Sequence, residues 1–311
     1  MSVGIHTAKT SHVLKGKLKN RKTMLDAIKI DCEELKLNAC QIFVQGPRNS
    51  KMNKMDYNEI KSYCKNKIKL YVHSSYISVG IFSVNSANKK EEKSKNAISV
   101  IENQLKACDK LDALGLVIHI SKRTPVQIAE TFKTIEHMLK KYKTPILLEM
   151  PAKKPDDDKT YETFTKINTL TDTLCKKIPK LNWGWCIDTA HLYSSGIDLN
   201  KPDIIHNWIK GIIQAKYIKL LHLNGIANKL FNTGKDTHEV VFSKEDAIFR
   251  DNIMYTEDAE KKEIEVLENS AITHLQKFCK KNNIDVIMEI NKSEYNETIE
   301  SIEIIRNLFQ N

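Results

Sequence analysis

Residues 116–119 read Leu-Val-Ile-His, residues 146–149 Ile-Leu-Leu-Glu, and residues 183–188 Trp-Gly-Trp-Cys-Ile-Asp. Each is a short apolar run that stops on a side chain able to hold a proton or a metal ion. Uninterrupted apolar runs of this length suit strands that are buried on both faces. Working outward, the same form recurs at Val3–His6, Ala39–Val44, Lys69–His73, Ile218–Leu223 and Asp285–Ile290. Helix-period stretches lie between them. Thr23–Leu35 sets Leu25, Ile28, Cys32 and Leu35 on one face, and Lys93–Leu114 repeats Ile98, Ile101, Leu105, Cys108 and Leu111 at three- and four-residue steps. Thr124-Pro125-Val126-Gln127 reads as a helix start, with a capping hydroxyl, proline in the first turn and a glutamine to close the box.

Strand and helix in alternation imply a parallel sheet with helical crossovers. Eight such units in 311 residues predict an α/β fold, a (β/α)8 TIM barrel, as a single domain over residues 1–311. A doubly wound open sheet competes, but no Gly-x-Gly-x-x-Gly follows any strand and the chain has only 10 glycines. No internal segment rich in Pro, Gly or Ser suggests a linker. Residues 229–269 form a connection far longer than the usual 4–6 or so residues, so a functional loop excursion with structure of its own is expected there.

The composition, 41% hydrophobic and 28% charged, is that of a folded globular chain rather than a disordered or fibrous one. No run approaches the roughly 18 apolar residues of a membrane-spanning helix. Met1–His6 has no basic region ahead of an apolar run, so no secretory leader is expected. Lys and Arg number 49 against 39 Asp and Glu, a net +10 that favours polyanionic partners. The seven cysteines are scattered, with no Cys-x-x-Cys pair, and read as small buried hydrophobes in an intracellular, reducing compartment. Any metal must then be held by His, Asp and Glu.

Six successive strand candidates carry, as their last or next-to-last residue, His73, His119, Glu149, Asp188, His222 and Glu289. Random placement of such residues at about one position in seven gives that run odds on the order of 10⁻⁵, before discounting for strand ends chosen by eye. A lone strand-end histidine is ordinarily a satisfied polar group; the set is what carries the argument. In a barrel all six converge on the carboxyl-end mouth, where enzymes of this architecture keep their sites. Converging carboxylates repel, and divalent cations relieve the repulsion. Imidazole with carboxylate suits zinc or manganese better than calcium or magnesium. Further candidates follow in the loops: His191, three residues after Asp188, then Asp236 and His238. These nine exceed what one four-coordinate zinc can use; three metal ions would accommodate them. His137, His206 and His274 lie in helical stretches and read as surface or packing residues, while His6 and His12 carry no assignment.

At these residues the sequence resembles the endonuclease IV family of AP endonucleases, AP endonuclease family 2. The most specific match is Cys186-Ile187-Asp188-Thr189-Ala190-His191-Leu192-Tyr193-Ser194-Ser195-Gly196, supported by His73-Ser74-Ser75-Tyr76, His222-Leu223-Asn224, Asp236-x-His238 and Glu289 in family order. The resemblance runs from Gly4-Ile5-His6 to the last helix. It implies a trinuclear zinc site, with manganese tolerated at one or more positions: His73, His119 and Glu149 at the first ion, Glu149, Asp188, His222 and Glu289 at the second, and His191, Asp236 and His238 at the third. It further implies a DNA-repair enzyme that hydrolyses the phosphodiester 5′ to abasic sites in double-stranded DNA, leaving a 3′-hydroxyl and a 5′-deoxyribose phosphate; a monomer is expected, since a barrel with a self-contained site can work alone. Trimming of blocked 3′ ends is a second activity of this type. Glu149 and Glu289 become the catalytic carboxylates, with Glu289 orienting the attacking water. Tyr76 and Arg48 match DNA-contacting positions, Tyr76 as a wedge and Arg48 in the space left by the flipped nucleotide. The compartment implied is cytoplasm or nucleus, or the virion for a viral member.

Several blocks depart from the family's pattern. Met150-Pro151-Ala152-Lys153 replaces Asn-Thr-Ala-Gly, Gly225 replaces the Asp of His-Leu-Asn-Asp, and Thr237 replaces the Arg of Asp-Arg-His. Glu239–Lys244 replaces a Gly-rich stretch, and Thr10-Ser11-His12 stands near the missing N-terminal double glycine. The chain reads as a divergent member. Two alternatives stay open: a divalent-metal sugar isomerase or epimerase on the same barrel, and a basic DNA-binding barrel without catalysis.

Overall fold

The computed structural model describes residues 1–9, 21–49, 51–83, 89–120, 123–152, 161–258, 261–290 and 295–310, so His12 and Lys153 lie outside the described residues. Eight parallel strands close into a barrel: β1 (Val3–Thr7), β2 (Ala39–Ile42), β3 (Lys69–His73), β4 (Leu116–His119), β5 (Ile146–Glu149), β6 (Trp183–Asp188), β7 (Ile218–His222) and β10 (Asp285–Met288). Helices α1 (Met24–Glu34), α2 (Tyr57–Cys64), α3 (Lys89–Leu111), α4 (Pro125–Leu139), α5 (Phe164–Lys177), α6 (Thr189–Ser194), α7 (Pro202–Gly211), α8 (Ala271–Asn282) and α9 (Tyr295–Gln310) complete the crossovers. The (β/α)8 architecture expected from the alternation is therefore the one observed.

Local chemistry sets the boundaries. Thr124 caps α4 through the Gln127 backbone N–H while the Gln127 side chain returns to the Thr124 N–H, the box read from the sequence. The α3 helix stops at Leu111 rather than Leu114: Asp112 turns left-handed (φ 55°), and the Ala113 N–H folds back onto the Cys108 carbonyl at 2.9 Å. Within residues 229–269 an antiparallel hairpin appears, β8 (Ile253–Asp258) with β9 (Lys261–Val266), Ile253 opposite Val266.

The barrel interior is layered because side chains alternate along each strand. Ala39, Tyr71, Val117, Leu147, Cys186, Leu220 and Ile287 form one apolar layer. Gly4 completes it from β1: a Cβ there would stand 2.2 Å from the Ala39 carbonyl oxygen and 2.8 Å from the Ile287 methyl. The amino end is plugged by buried Asp285, which accepts from the Ser2 N–H (2.7 Å), the Lys69 ammonium (2.9 Å) and the Tyr71 hydroxyl (2.8 Å). Two residues further along each strand, the next layer faces the mouth: His6, Gln41, His73, His119, Glu149, Asp188, His222 and Glu289.

Candidate metal centre

Glu149, at the end of β5 and fully buried, is the hub of this mouth layer. Its Oε2 stands 3.1 Å from His73 Nε2 and 3.3 Å from His119 Nε2, and its Oε1 lies 2.9 Å from His222 Nδ1. The same His222 nitrogen is 3.7 Å from Asp188 Oδ2 and 3.5 Å from Glu289 Oε2. Asp188 continues the cluster as the N-cap of α6, its Oδ1 accepting the His191 backbone N–H at 3.0 Å. Its Oδ2 is 3.8 Å from His238 Nε2. Asp236 spans the last two imidazoles, Oδ2 3.1 Å from His191 Nε2 and Oδ1 3.1 Å from His238 Nε2.

All nine side chains singled out in the sequence are thus brought into one contiguous cluster. Donor atoms within 4.8 Å of one another form groups able to hold an ion: His73, His119 and Glu149; Glu149, Asp188, His222 and Glu289; Asp188, His191 and His238. The last group brings Asp188 beside His191 and His238, where the resemblance implied Asp236; the geometry places both carboxylates there. Ligands around a tetrahedral zinc at 2.0–2.1 Å stand about 3.3 Å apart, and the facing donors here are 2.9–3.8 Å apart, so this donor set fits such an ion. Cys186 also falls near Glu149 and His222, but it belongs to the apolar layer below, and burial pushes its thiol up to about 12.

Hydrogen bonds decide which nitrogen each imidazole offers. His73 Nδ1–H donates to the Ser74 carbonyl (2.9 Å), His191 Nδ1–H to Met150 (2.8 Å) and His238 Nδ1–H to Glu289 (3.2 Å), so all three turn Nε2 to the cluster. Asn224 ties the Asp188 carboxylate to the main chain of Glu289, donating to Asp188 Oδ2 at 2.8 Å and accepting the Glu289 backbone N–H at 2.8 Å.

The metal-free cluster is a lattice of imidazolium and carboxylate. Burial opposes charge on the imidazoles and on Glu149, Asp236 and Glu289, yet mutual attraction outweighs it for most of them. Against that penalty, Glu149 is held well below the usual carboxylate range by His119, His222 and His73, and Glu289 and Asp236 are lowered by their imidazole neighbours. Despite the same penalty, His238 is raised to about 9 by Asp236 and Asp188, His191 and His222 are raised well above the ordinary imidazole value, and His73 is raised by Glu149. Burial wins at His119, which falls to about 4, and at His6.

Two residues that carried no assignment, or none of this kind, join the layer. His6 Nδ1 is 3.5 Å from Glu289 Oε1, and its ring packs on Phe43 with centroids 4.5 Å apart. Gln41 is fully buried beside both Glu289 and His222. The signal for each was the two-residue step from Gly4 and Ala39 in the layer below. His137 is exposed, and His206 and His274 pair ring to ring at 5.0 Å on the helical shell, away from the mouth.

The rim holds Tyr76 and Arg48. Tyr76, 49% exposed, stands over the first group with its ring 5.2 Å from that of His119. Arg48 is exposed on the loop after β2. The two loops are stitched together: the Tyr76 N–H and the Ser75 hydroxyl both donate to the Pro47 carbonyl, at 2.8 and 3.0 Å. Nearby, the loss of Asp at position 225 has a spatial counterpart. A Cβ on Gly225 would lie 2.7 Å from the carboxyl carbon of Asp246, which occupies that space and accepts the Phe242 and Ile248 N–H groups at 2.9 Å each.

Comparison with known proteins agrees with this geometry. The family model of the AP endonuclease 2 group, described as xylose isomerase-like TIM barrels, matches residues 30–248. A probable endonuclease 4 of Mycoplasma mobile is 29% identical over 204 residues, which cover 66% of this chain and 72% of that protein. A probable AP endonuclease of African swine fever virus is 29% identical over 217 residues, 66% of this chain and 67% of that one. The crystal structure of endonuclease IV from Thermus thermophilus superposes with a TM-score of 0.66 over 100% of this chain and 99% of its own, at 14% identity, a likeness of fold. A model matched over most of the barrel, with relatives of one kind in bacteria and a virus, leaves a single conclusion: this chain belongs to the endonuclease IV family of AP endonucleases, and so to the hydrolytic nucleases.

Proposed function

We propose that the chain is a zinc-dependent DNA-repair endonuclease that cuts the phosphodiester 5′ to abasic sites in duplex DNA, leaving a 3′-hydroxyl and a 5′-deoxyribose phosphate. The observation that carries this reading is the size and continuity of the cluster: nine donors joined through Glu149 and Asp188. A sugar isomerase needs about four, and would leave His191, Asp236 and His238 without a joint purpose.

Zinc, or manganese at some positions, bound to these donors would supply charge neutralisation at the phosphate and water activation at neutral pH. The residues supply the rest. Glu289, with Oε2 toward His222 and His238 and Oε1 held from behind, orients the attacking water in line with phosphorus. The carbonyl-anchored imidazoles keep the floor rigid, so little reorganisation accompanies the reaction. The exposed ring of Tyr76 enters the base stack as a wedge, and Arg48 on the neighbouring loop fills the gap left by the extruded nucleotide. Extrusion costs least where no base is stacked. The net +10 charge favours the duplex at a distance.

The test is incision of a labelled duplex carrying one tetrahydrofuran abasic analogue, by wild type beside Glu289→Gln, with metal content measured on both. The analogue resists β-elimination, so only hydrolysis cuts it. A clean 5′ nick by wild type with about three zinc ions per chain, lost in Glu289→Gln, is the expected result. Zinc-loaded wild type that binds the duplex without nicking it would overturn the assignment.

A further inference from the structure

We propose that Gln41 is a positioning residue of the metal centre, whose one carboxamide sets which nitrogen His222 presents and which oxygen Glu289 presents. The proposal rests on the zinc reading above and goes beyond it to a residue that is not itself a ligand.

His222 is the exception among the cluster imidazoles. His73, His191 and His238 are set by backbone carbonyls and offer Nε2. His222 instead offers Nδ1 to Glu149, and its Nε2 lies 3.0 Å from Gln41 Oε1. The amide nitrogen of the same side chain is 2.7 Å from Glu289 Oε1 and 3.0 Å from His6 Nδ1. A carboxylate only accepts, so the nitrogen must face Glu289, which turns the oxygen to His222 and requires Nε2 to carry the hydrogen. His222 Nδ1 now shares its hydrogen with Glu149, and on losing it would present its lone pair to the cluster. On Glu289, Oε1 is occupied and Oε2 remains for the centre, 3.5 Å from His222 Nδ1 and 3.7 Å from His238 Nδ1.

The second amide hydrogen goes to His6 Nδ1, so all three polar contacts of the carboxamide are satisfied in one orientation. Flipping the amide would set N–H against N–H at His222 and oxygen against oxygen at Glu289. Gln41 is fully buried, so water does not compete for these contacts. A methionine in its place would fill the space but leave His222 Nε2–H and Glu289 Oε1 buried without partners. A glutamate would keep an oxygen facing His222 while opposing Glu289.

The experiment loads full-length wild type, Gln41→Met and Gln41→Glu with zinc, then withdraws it with a chelator of graded concentration while counting ions per chain. Thermal melts of the metal-free forms report folding. Expected is selective weakening of one zinc in Gln41→Met, by about 10–100-fold, with the other two held as in wild type. Gln41→Glu should recover part of that loss, because the acceptor for His222 survives, and fall short of wild type because it opposes Glu289. Three zincs held at wild-type strength in Gln41→Met would overturn the proposal. So would uniform weakening of all three with a lower melting temperature, which marks a packing role, or a loss in Gln41→Glu as deep as in Gln41→Met. Wild type that binds no zinc refutes the functional reading instead, a distinct result.

Discussion

Zinc loading of this centre should expel protons, in a number set by the imidazoles that the carboxylates hold charged. In the metal-free chain His191 and His222 are held well above the ordinary imidazole value, His238 sits at about 9, and His73 is raised. His119, at about 4, and His6, lowered by burial, carry no proton to lose at neutral pH. Glu149, Asp236 and Glu289 are already ionised. Zinc takes only deprotonated donors, so loading at pH 7.5 should release roughly three protons, about one each from His191, His222 and His238, with a further fraction from His73. Imidazoles of ordinary pKa, about 6.5, would be about one-tenth protonated at that pH and would release less than about half a proton between the four. Calorimetric titration with zinc in two buffers of different ionisation enthalpy measures the number directly. A release below about two protons would refute the picture of carboxylate-held imidazolium.

The same shifts fix the sign of the pH dependence. A histidine raised to about 9 on folding stabilises the metal-free chain fully below about pH 6.5, and that contribution is lost as pH rises through 9. For His238, about nine-tenths buried, it amounts to on the order of 3 kcal/mol. Zinc affinity moves the opposite way, climbing between pH 7 and 9 as protons compete less. Melting curves of the metal-free protein should therefore fall over that range while those of the zinc-loaded protein hold.

Glu149→Gln, which removes the one carboxylate shared by His73, His119 and His222, should lower bound zinc by at least one ion and abolish incision; metal analysis with the abasic duplex reads both. Tyr76→Ala should weaken binding to the abasic duplex by about 1–3 kcal/mol, with zinc content unchanged, as measured by titration of labelled DNA. Gly225→Asp should destabilise the chain by about 1–3 kcal/mol or more, because its Cβ meets the Asp246 carboxyl at 2.7 Å. Pairing it with Asp246→Gly should restore part of the loss in thermal melts.

How far the sequence could be read follows from what each residue answers to. The strands β3, β4, β5 and β6 begin and end where the apolar runs do, because a strand buried on both faces admits polar residues only at its ends. The six strand-end candidates share one layer for the same reason. Gln41 escaped because it sits inside the run Ala39–Val44, where a polar residue ends nothing; only its two-residue offset from Ala39 places it in the mouth layer. The hairpin of β8 and β9 escaped because its second strand, Lys-Lys-Glu-Ile-Glu-Val, is mostly charged and, among the described residues, pairs with β8 alone. Asp246 gave no signal, since its role is to fill a space opened by a glycine 21 positions earlier, a distance no local pattern spans.

The departures from the family's pattern gather around one part of the centre, and their placement explains how the geometry persists. His191 is held by the carbonyl of Met150, at 2.8 Å, and any residue at 150 supplies a carbonyl. The strand-like segment that carries Asp236 and His238 is pinned where the Glu239 N–H donates to the Gly225 carbonyl at 2.9 Å and the Gly225 N–H returns at 3.2 Å, again through backbone alone. Phe242, forced left-handed at φ 68°, is held there by its N–H on Asp246. At positions 150, 225 and 239 the support passes through the main chain, and the Asp246 carboxylate fills the space beside Gly225. The side chain at 150 can therefore vary without moving His191, whereas at 225 any Cβ meets the Asp246 carboxyl at 2.7 Å. Where the anchor is a side chain, as at Asp188, Asn224 and Gln41, no such freedom exists, and a substitution there changes the donor geometry itself.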